Sequence, residues 1–310
     1  MMTTTTSQDT SSPSKIDWRV IVAFAAIYTI WGSTYLGIRI AIESLPPLLM
    51  AGTRFVIAGP LLYAWSRCRG AARPTPKQWL ATAIVGGALI LGGNGLVTLA
   101  EQRVASGLAA LLVATVPLWL VVLDWLFLKG EKPTITVVLG LVLGLVGIGL
   151  LVGPGDLLGD ERVDLVGVGL VLLAAFSWAS GSLYSRRAAM PDNILLSTGM
   201  QMITGGMLML LVAGLRGEWG QVDLAAVTLR SWLALAYLTV FGSIVAYTAY
   251  TWLLRHVKPA WVGTYAYVNP VVAVFLGWAF AGEDLSVRML IAAVIIVLAV
   301  VVITTSRSSK

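Results

Sequence analysis

Apolar residues in this chain fall into ten runs, which short stretches containing Pro, Gly or charged residues separate. Each run is about 20 residues long, the length of helix that crosses the hydrocarbon core of a bilayer. The separators end helices, and the runs lack the alternation of a membrane β-strand. The pattern predicts ten transmembrane helices at 18–40, 47–66, 78–99, 105–128, 134–152, 164–185, 194–214, 231–253, 260–281 and 287–305.

The composition supports a membrane protein. Of the 310 residues, 58% are hydrophobic and 12% are charged, whereas soluble domains carry about 25% charged residues. The fold class is therefore expected to be all-α and integral to the membrane. Residues 1–17 are rich in Ser and Thr and predict a disordered cytoplasmic tail.

The distribution of basic residues predicts the orientation. With both termini in the cytoplasm, 14 lysines and arginines lie on the inner side of the predicted spans and five on the outer side. Cytoplasmic loops of membrane proteins are enriched in Lys and Arg. We therefore expect a multi-pass protein of the cell inner (plasma) membrane with both termini cytoplasmic.

Two segments of the chain resemble each other. The stretches "IWGSTYLGIR" (30–39) and "SWASGSLYSR" (177–186) share Trp, Ser and Arg at a constant offset of 147. The halves 18–152 and 164–305 each hold five predicted spans, and an odd number of spans inserts the second half upside down. The pattern predicts two inverted five-helix repeats around a central cavity, the construction of many secondary transporters.

Arg54 is a candidate substrate-binding residue. It lies seven residues into the second span, and a central arginine costs about 2.5–3.5 kcal/mol on insertion scales. It therefore either binds the carboxylate of a solute in a wet cavity or has a structural role, in which it extends outward to the interface or pairs with Glu43 or Glu101. The repeat places Gln201 at the equivalent position.

Polar residues form a stripe on the third span. Asn94, Thr98 and Glu101 recur at i, i+4 and i+7 and share one face of a helix. They are expected either to line the outer half of a solute path or to form hydrogen bonds between helices.

Aromatic residues in four spans are candidates for the walls of the cavity. Trp31, Trp178, Tyr247 and Tyr265, together with Asn269, provide apolar rings with a few polar groups, which suits an amphipathic small molecule. Packing between helices, or an interfacial belt, is the alternative for each ring.

Pro117 and Pro270 lie near the middle of the fourth and ninth spans. Each removes a helical hydrogen bond. The pair is interpreted either as the hinge of an alternating-access movement or as two static bends.

Several classes of protein find no support in the sequence. The chain has one cysteine, Cys68, and one histidine, His256, so a disulfide framework is excluded within one chain and His-based catalysis is disfavoured. The sequence carries no P-loop and no basic stripe, so neither ATP-driven transport nor nucleic-acid binding is expected. We expect no cofactor, no metal and no catalytic residue.

The motifs "WGSTYLGIR", "GNGLVTLAE" (93–101), "VATVPL" (113–118) and "YAYVNPVVAVFLG" (265–277) resemble the EamA branch of the drug/metabolite transporter superfamily. The resemblance implies a ten-helix fold and export of amino acids or related small metabolites. The expected partners are this small-molecule substrate and the lipid bilayer, for a monomer or homodimer. A broad-specificity drug exporter of the same fold, or a membrane-embedded enzyme, is the alternative.

Overall fold

The protein is all-helical throughout the part of the chain that its structure, a computed structural model, describes. That part comprises residues 17–100, 102–103, 109, 112–127, 132–152, 164–281 and 286–305. The α-helices are α1 Trp18–Ala41, α2 Pro47–Cys68, α3 Pro76–Gly86, α4 Leu96–Ala100, α5 Val116–Phe127, α6 Ile135–Val152, α7 Leu165–Ser185, α8 Ile194–Leu215, α9 Leu229–Tyr237, α10 Thr248–His256, α11 Pro259–Gly263, α12 Tyr265–Ala281 and α13 Val287–Thr305.

Six continuous helical segments are long and apolar enough to cross a membrane. They are Trp18–Ile38, Pro47–Cys68, Pro76–Ala100, Leu165–Ser185, Ile194–Leu215 and Leu229–His256. Large apolar side chains such as Leu139, Val146 and Val294 are more than half exposed, as expected for helices that face lipid. The molecule is a helical membrane protein.

Two of the long segments change their hydrogen-bond pattern midway. α3 continues through a π-helix at Gly87–Gly95, the first π segment, into α4. α9 continues through a π-helix at Leu238–Tyr247, the second π segment, into α10. π-helices are rare and frequently mark functional sites. The apolar pattern predicted single helices at both places and gave no indication of the wider turns.

Polar residues define the ends of the helices. Thr75 and Gln78 form a reciprocal capping box at the start of α3. The Asp164 carboxylate accepts hydrogen bonds from the N–H groups of Val166 and Gly167 at the start of α7. These side chains satisfy N–H groups that have no partner within the helix.

The packing partners of the two halves correspond. α2 packs along α8, and α6 packs along α13. α1 contacts α12 and the second π segment, whereas α7 contacts α5 and the first π segment. If each helix is replaced by its counterpart in the other half, the same set of contacts results.

Glycines allow α2 and α8 to approach closely. A Cβ atom placed on Gly199 would lie 2.8 Å from the Gly59 carbonyl oxygen and 2.8 Å from the Tyr63 nitrogen. No side chain fits between these backbones, so the two halves of the chain meet through direct main-chain contact at this crossing.

The regions around the two prolines are interrupted. Pro117 lies in the first turn of α5, directly after a turn at 114–115, where proline costs no hydrogen bond. Pro270 lies inside α12, and a turn at Thr264 separates α12 from the short helix α11. The sequence predicted one continuous helix for each region. The beginning of the predicted fourth span, 105–108, lies outside the described residues.

Candidate functional site

A cavity of about 870 Å³, which includes space open to solvent, lies where the two halves of the chain meet. α1, α2, α4, α5, α7, α12 and both π segments contribute to its wall. Eight of the ten substrate-binding candidates from the sequence line it: Trp31, Arg54, Asn94, Thr98, Trp178, Tyr247, Tyr265 and Asn269.

Arg54 places a buried positive charge at the cavity wall. The residue is 5% exposed, and its Nη2 donates a hydrogen bond of 2.9 Å to Asn94 Oδ1. Its Nε is buried and has no hydrogen-bond partner in the described part of the chain. No ion pair joins Arg54 to a carboxylate within the described ranges, and Glu43 pairs instead with Arg230 at 3.8 Å. Pairing with Glu43, one of the structural interpretations, is therefore wrong.

Five aromatic rings form one packed group beside the cavity, here named the aromatic group: Trp31, Trp178, Tyr247, Tyr250 and Tyr265. Their contacting ring centroids are 5.0 to 6.4 Å apart. Four of these seven pairs are edge to face, and such pairs contribute about 0.5–1.5 kcal/mol each beyond the burial of area. The group joins both halves of the chain and fixes the shape of one wall.

Four members of the aromatic group, Trp31, Trp178, Tyr247 and Tyr250, use their polar atoms in hydrogen bonds within the protein. Trp31 Nε1 donates to the carbonyl of Gly242 at 3.2 Å, and Trp178 Nε1 donates to Tyr250 Oη at 2.7 Å. Tyr247 Oη donates to Gln201 Oε1 at 3.1 Å. The rings therefore present mainly apolar surface.

Amide and hydroxyl groups supply the remaining polar lining. Thr98 Oγ1 donates to the carbonyl of Asn94 at 2.8 Å. In the amide orientation that satisfies its neighbours, Asn269 donates to the carbonyls of Tyr28 and Tyr265 at 3.2 and 3.1 Å. The bond from Arg54 orients the Asn94 side chain, and the two carbonyls orient that of Asn269.

One described candidate from the sequence, Gln201, is not part of this wall. Gln201 is buried behind Tyr247 and supports its hydroxyl group from outside the lining. Glu101 lies outside the described residues, as does any pairing that it makes.

Other lining residues are not among those that the sequence singled out. Phe55 packs 4.5 Å beneath the Arg54 guanidinium, measured from Cζ to the ring centroid. A Cβ atom on Gly93 would overlap the indole of Trp178, so glycine is required there for Trp178 to reach the wall. The "GGNG" stretch around Gly93 was a signal for this, since consecutive glycines within a span permit close approach.

Among the described residues, no group of three or more His, Cys, Asp or Glu side chains is placed to hold a metal ion. The site combines one cation, aromatic rings and neutral polar groups, which is an arrangement for binding an amphipathic molecule.

Fold and cavity thus define a polytopic membrane protein with an internal cavity between the two halves of the chain. The chain belongs to the EamA-like transporter family, whose model matches residues 18–153 and again residues 165–305.

Proteins similar to this chain occur in Escherichia coli and Bacillus subtilis. The uncharacterized inner membrane transporter YedA of Escherichia coli (strain K12) is 44% identical over 266 residues, which cover 85% of this chain and 83% of YedA. The uncharacterized transporter YoaV of Bacillus subtilis (strain 168) is 24% identical over 278 residues, covering 89% of this chain and 94% of YoaV. A solved crystal structure with 21% sequence identity covers 94% of this chain and 98% of its own at a TM-score of 0.76, which shows a shared fold.

Proposed function

We propose that the protein is a secondary transporter of the inner membrane that exports small amphipathic metabolites bearing a carboxylate, the class that includes neutral and aromatic amino acids. Arg54 carries this proposal. Its buried guanidinium faces the cavity, and no described carboxylate pairs with it. Burying a charge without a counter-ion costs several kcal/mol, so an anionic solute is the natural partner for the site.

The proposed architecture is two inverted five-helix repeats with both termini in the cytoplasm. The two matches of the family model, over 18–153 and 165–305, support the duplication. The correspondence of packing partners and the π segments at equivalent places in both halves support it as well. The name of YedA, an inner membrane transporter, supports the location.

Alternating access is the proposed mechanism, because the cavity lies between the halves as in other transporters built from repeats. Pro117 and Pro270 are proposed as hinges. Pro117 follows a turn at 114–115, and Pro270 lies in the helix that begins after the turn at Thr264. Proline inside a helix removes one backbone hydrogen bond and permits a bend. A Cβ atom on Gly263 would lie 3.1 Å from Pro117 Cα, so movement of α5 would be transmitted to α11.

The test is flux in liposomes containing the purified protein, with a panel of radiolabelled amino acids and other small carboxylates, with and without a pH gradient. Charge-assisted hydrogen bonds to arginine contribute about 1.5–3 kcal/mol. Arg54→Gln is therefore expected to reduce carboxylate flux by at least about tenfold. Undiminished flux in this variant would show that Arg54 does not bind the transported carboxylate.

Arg230→Gln is the matched control, because it removes an arginine whose side chain is 66% exposed and which does not line the cavity. Its flux should equal that of the wild type. The solutes must be recovered chemically unchanged, since conversion to a product would favour the membrane-embedded enzyme. Equal flux of uncharged drugs and carboxylates, independent of Arg54, would favour the broad-specificity drug exporter.

A further inference from the structure

The described lining of the cavity carries charge of one sign only. Among its described lining residues, Arg54 is ionised, and the others are aromatic, aliphatic, amide, hydroxyl or glycine residues. The wall therefore offers a positive charge that can pair with an anion. Its described residues include no carboxylate that could pair with a cation.

The neutral polar groups do not alter this balance. Asn94 directs its Oδ1 toward Arg54 Nη2, and the indole N–H groups of Trp31 and Trp178 are used within the protein. Arg54 Nε is buried and has no hydrogen-bond partner among the described residues, so the protein leaves this guanidinium incompletely hydrogen-bonded. An oxyanion in the cavity beside the guanidinium would supply the missing counter-charge.

The aromatic group is packed too closely to form a cage for an ammonium ion. Such a cage surrounds the cation with ring faces, which requires the rings to stand apart. Here Trp31 contacts Trp178 edge to face at 5.7 Å and Tyr265 at 5.0 Å between centroids. The rings fill the space between themselves and leave a surface suited to a flat apolar body.

An amino acid meets a specific obstacle in this site. Its ammonium group is bonded to the carbon next to the carboxylate, so the ammonium would lie close to the Arg54 guanidinium whenever the carboxylate binds there. Like charges brought together in a desolvated site oppose binding strongly. A carboxylate without the ammonium group keeps the attraction and avoids the repulsion.

We propose that this cavity selects aryl monocarboxylates that lack an α-ammonium group over the corresponding amino acids. The carboxylate binds Arg54 beside Asn94, and the ring lies against Trp31 and Tyr265. This assignment rests on the proposed transport function and narrows its substrate class.

Three compounds with the same benzyl body separate the possibilities: 3-phenylpropionate carries the carboxylate, phenethylamine carries the ammonium, and phenylalanine carries both. Calorimetric titration of the purified wild-type protein in detergent measures the affinity of each. We expect 3-phenylpropionate to bind at least about tenfold more tightly than phenylalanine, and phenethylamine to bind more weakly than both. Equal or tighter binding of phenylalanine, any preference for phenethylamine, or binding of none of the three would overturn the assignment.

A variant and an uncharged ligand distinguish recognition from a structural role. Arg54→Gln should weaken the binding of 3-phenylpropionate by at least about tenfold. The binding of 3-phenylpropan-1-ol, which has no charge, should stay within about threefold of its wild-type affinity. Loss of both ligands together would indicate a damaged cavity and overturn the role of Arg54. Arg230→Gln again serves as the control.

The liposome panel separates this assignment from the proposed function. Flux of amino acids with no flux of 3-phenylpropionate contradicts the assignment and leaves the transporter intact. Absence of flux for every solute contradicts the proposed function itself.

Discussion

The crossing of α2 and α8 leads to a quantitative prediction. In Gly199→Ala, the new Cβ would lie 2.8 Å from both the Gly59 carbonyl oxygen and the Tyr63 nitrogen, and 3.1 Å from Leu62 Cβ. Ordinary van der Waals contact begins at 3.4 Å, so the helices must separate by about half an ångström. Overpacking of this kind costs about 1–3 kcal/mol, and alanine recovers up to about 1 kcal/mol through helix propensity. We expect a net destabilisation of about 1–2 kcal/mol.

Gly169→Ala is the matched control, because Gly169 lies in α7 and has nothing within 4 Å of its added Cβ. This variant should be neutral or up to about 1 kcal/mol more stable than the wild type. The measurement is the free energy of unfolding of each purified protein, from titration with SDS in mixed micelles and monitored by tryptophan fluorescence. If Gly199→Ala is as stable as Gly169→Ala, the backbone contact between α2 and α8 does not hold the two halves together as described.

Three further predictions concern the ends of helices. Cys68, an exposed thiol at the end of α2, should resist an impermeant maleimide in intact cells and react after permeabilisation; labelling of intact cells would reverse the proposed orientation. Glu218 accepts a 2.9 Å hydrogen bond from the Leu49 N–H in the first turn of α2, so Glu218→Ala should lower the free energy of unfolding by about 1–2 kcal/mol and Glu218→Gln by less, whereas equal losses would argue against the cap. The Gly167 N–H and Arg103 hold the pKa of Asp164 below its ordinary value, so the stabilising effect of its charge is present above the unfolded pKa of about 4 and is lost as the pH falls through the lower folded value. Asp164→Asn should therefore reduce the change in melting temperature between pH 5 and pH 3, and an unchanged slope would refute the linkage.

Much of the candidate site could be predicted because polar and aromatic residues are conspicuous within apolar spans. Lipid does not tolerate Arg54 or Asn94, so their position alone indicated a cavity or a partner, and both line the cavity. The support that Gln201 gives to Tyr247 could not be predicted in the same way. The repeat identified Gln201 as the counterpart of Arg54, but Arg54 lines the cavity and Gln201 does not.

The contacts between helices were less accessible from the sequence. Gly59 and Gly199 were recognisable as members of a repeat, yet spacing along the chain does not reveal that they meet each other. The sequence also did not indicate which cation pairs with Glu43. In the structure that cation is Arg230, which is distant from Glu43 along the chain.

The sequence by itself determined that the chain is helical, that it belongs in a membrane and where its apolar segments lie, because the bilayer imposes length and hydrophobicity on each segment separately. The tertiary structure alone decided which segments adopt π-helical turns, which glycines bring α2 and α8 together, and which residues share one cavity. Those features depend on contacts between residues distant along the chain, and their free energies arise only when the two halves pack against each other.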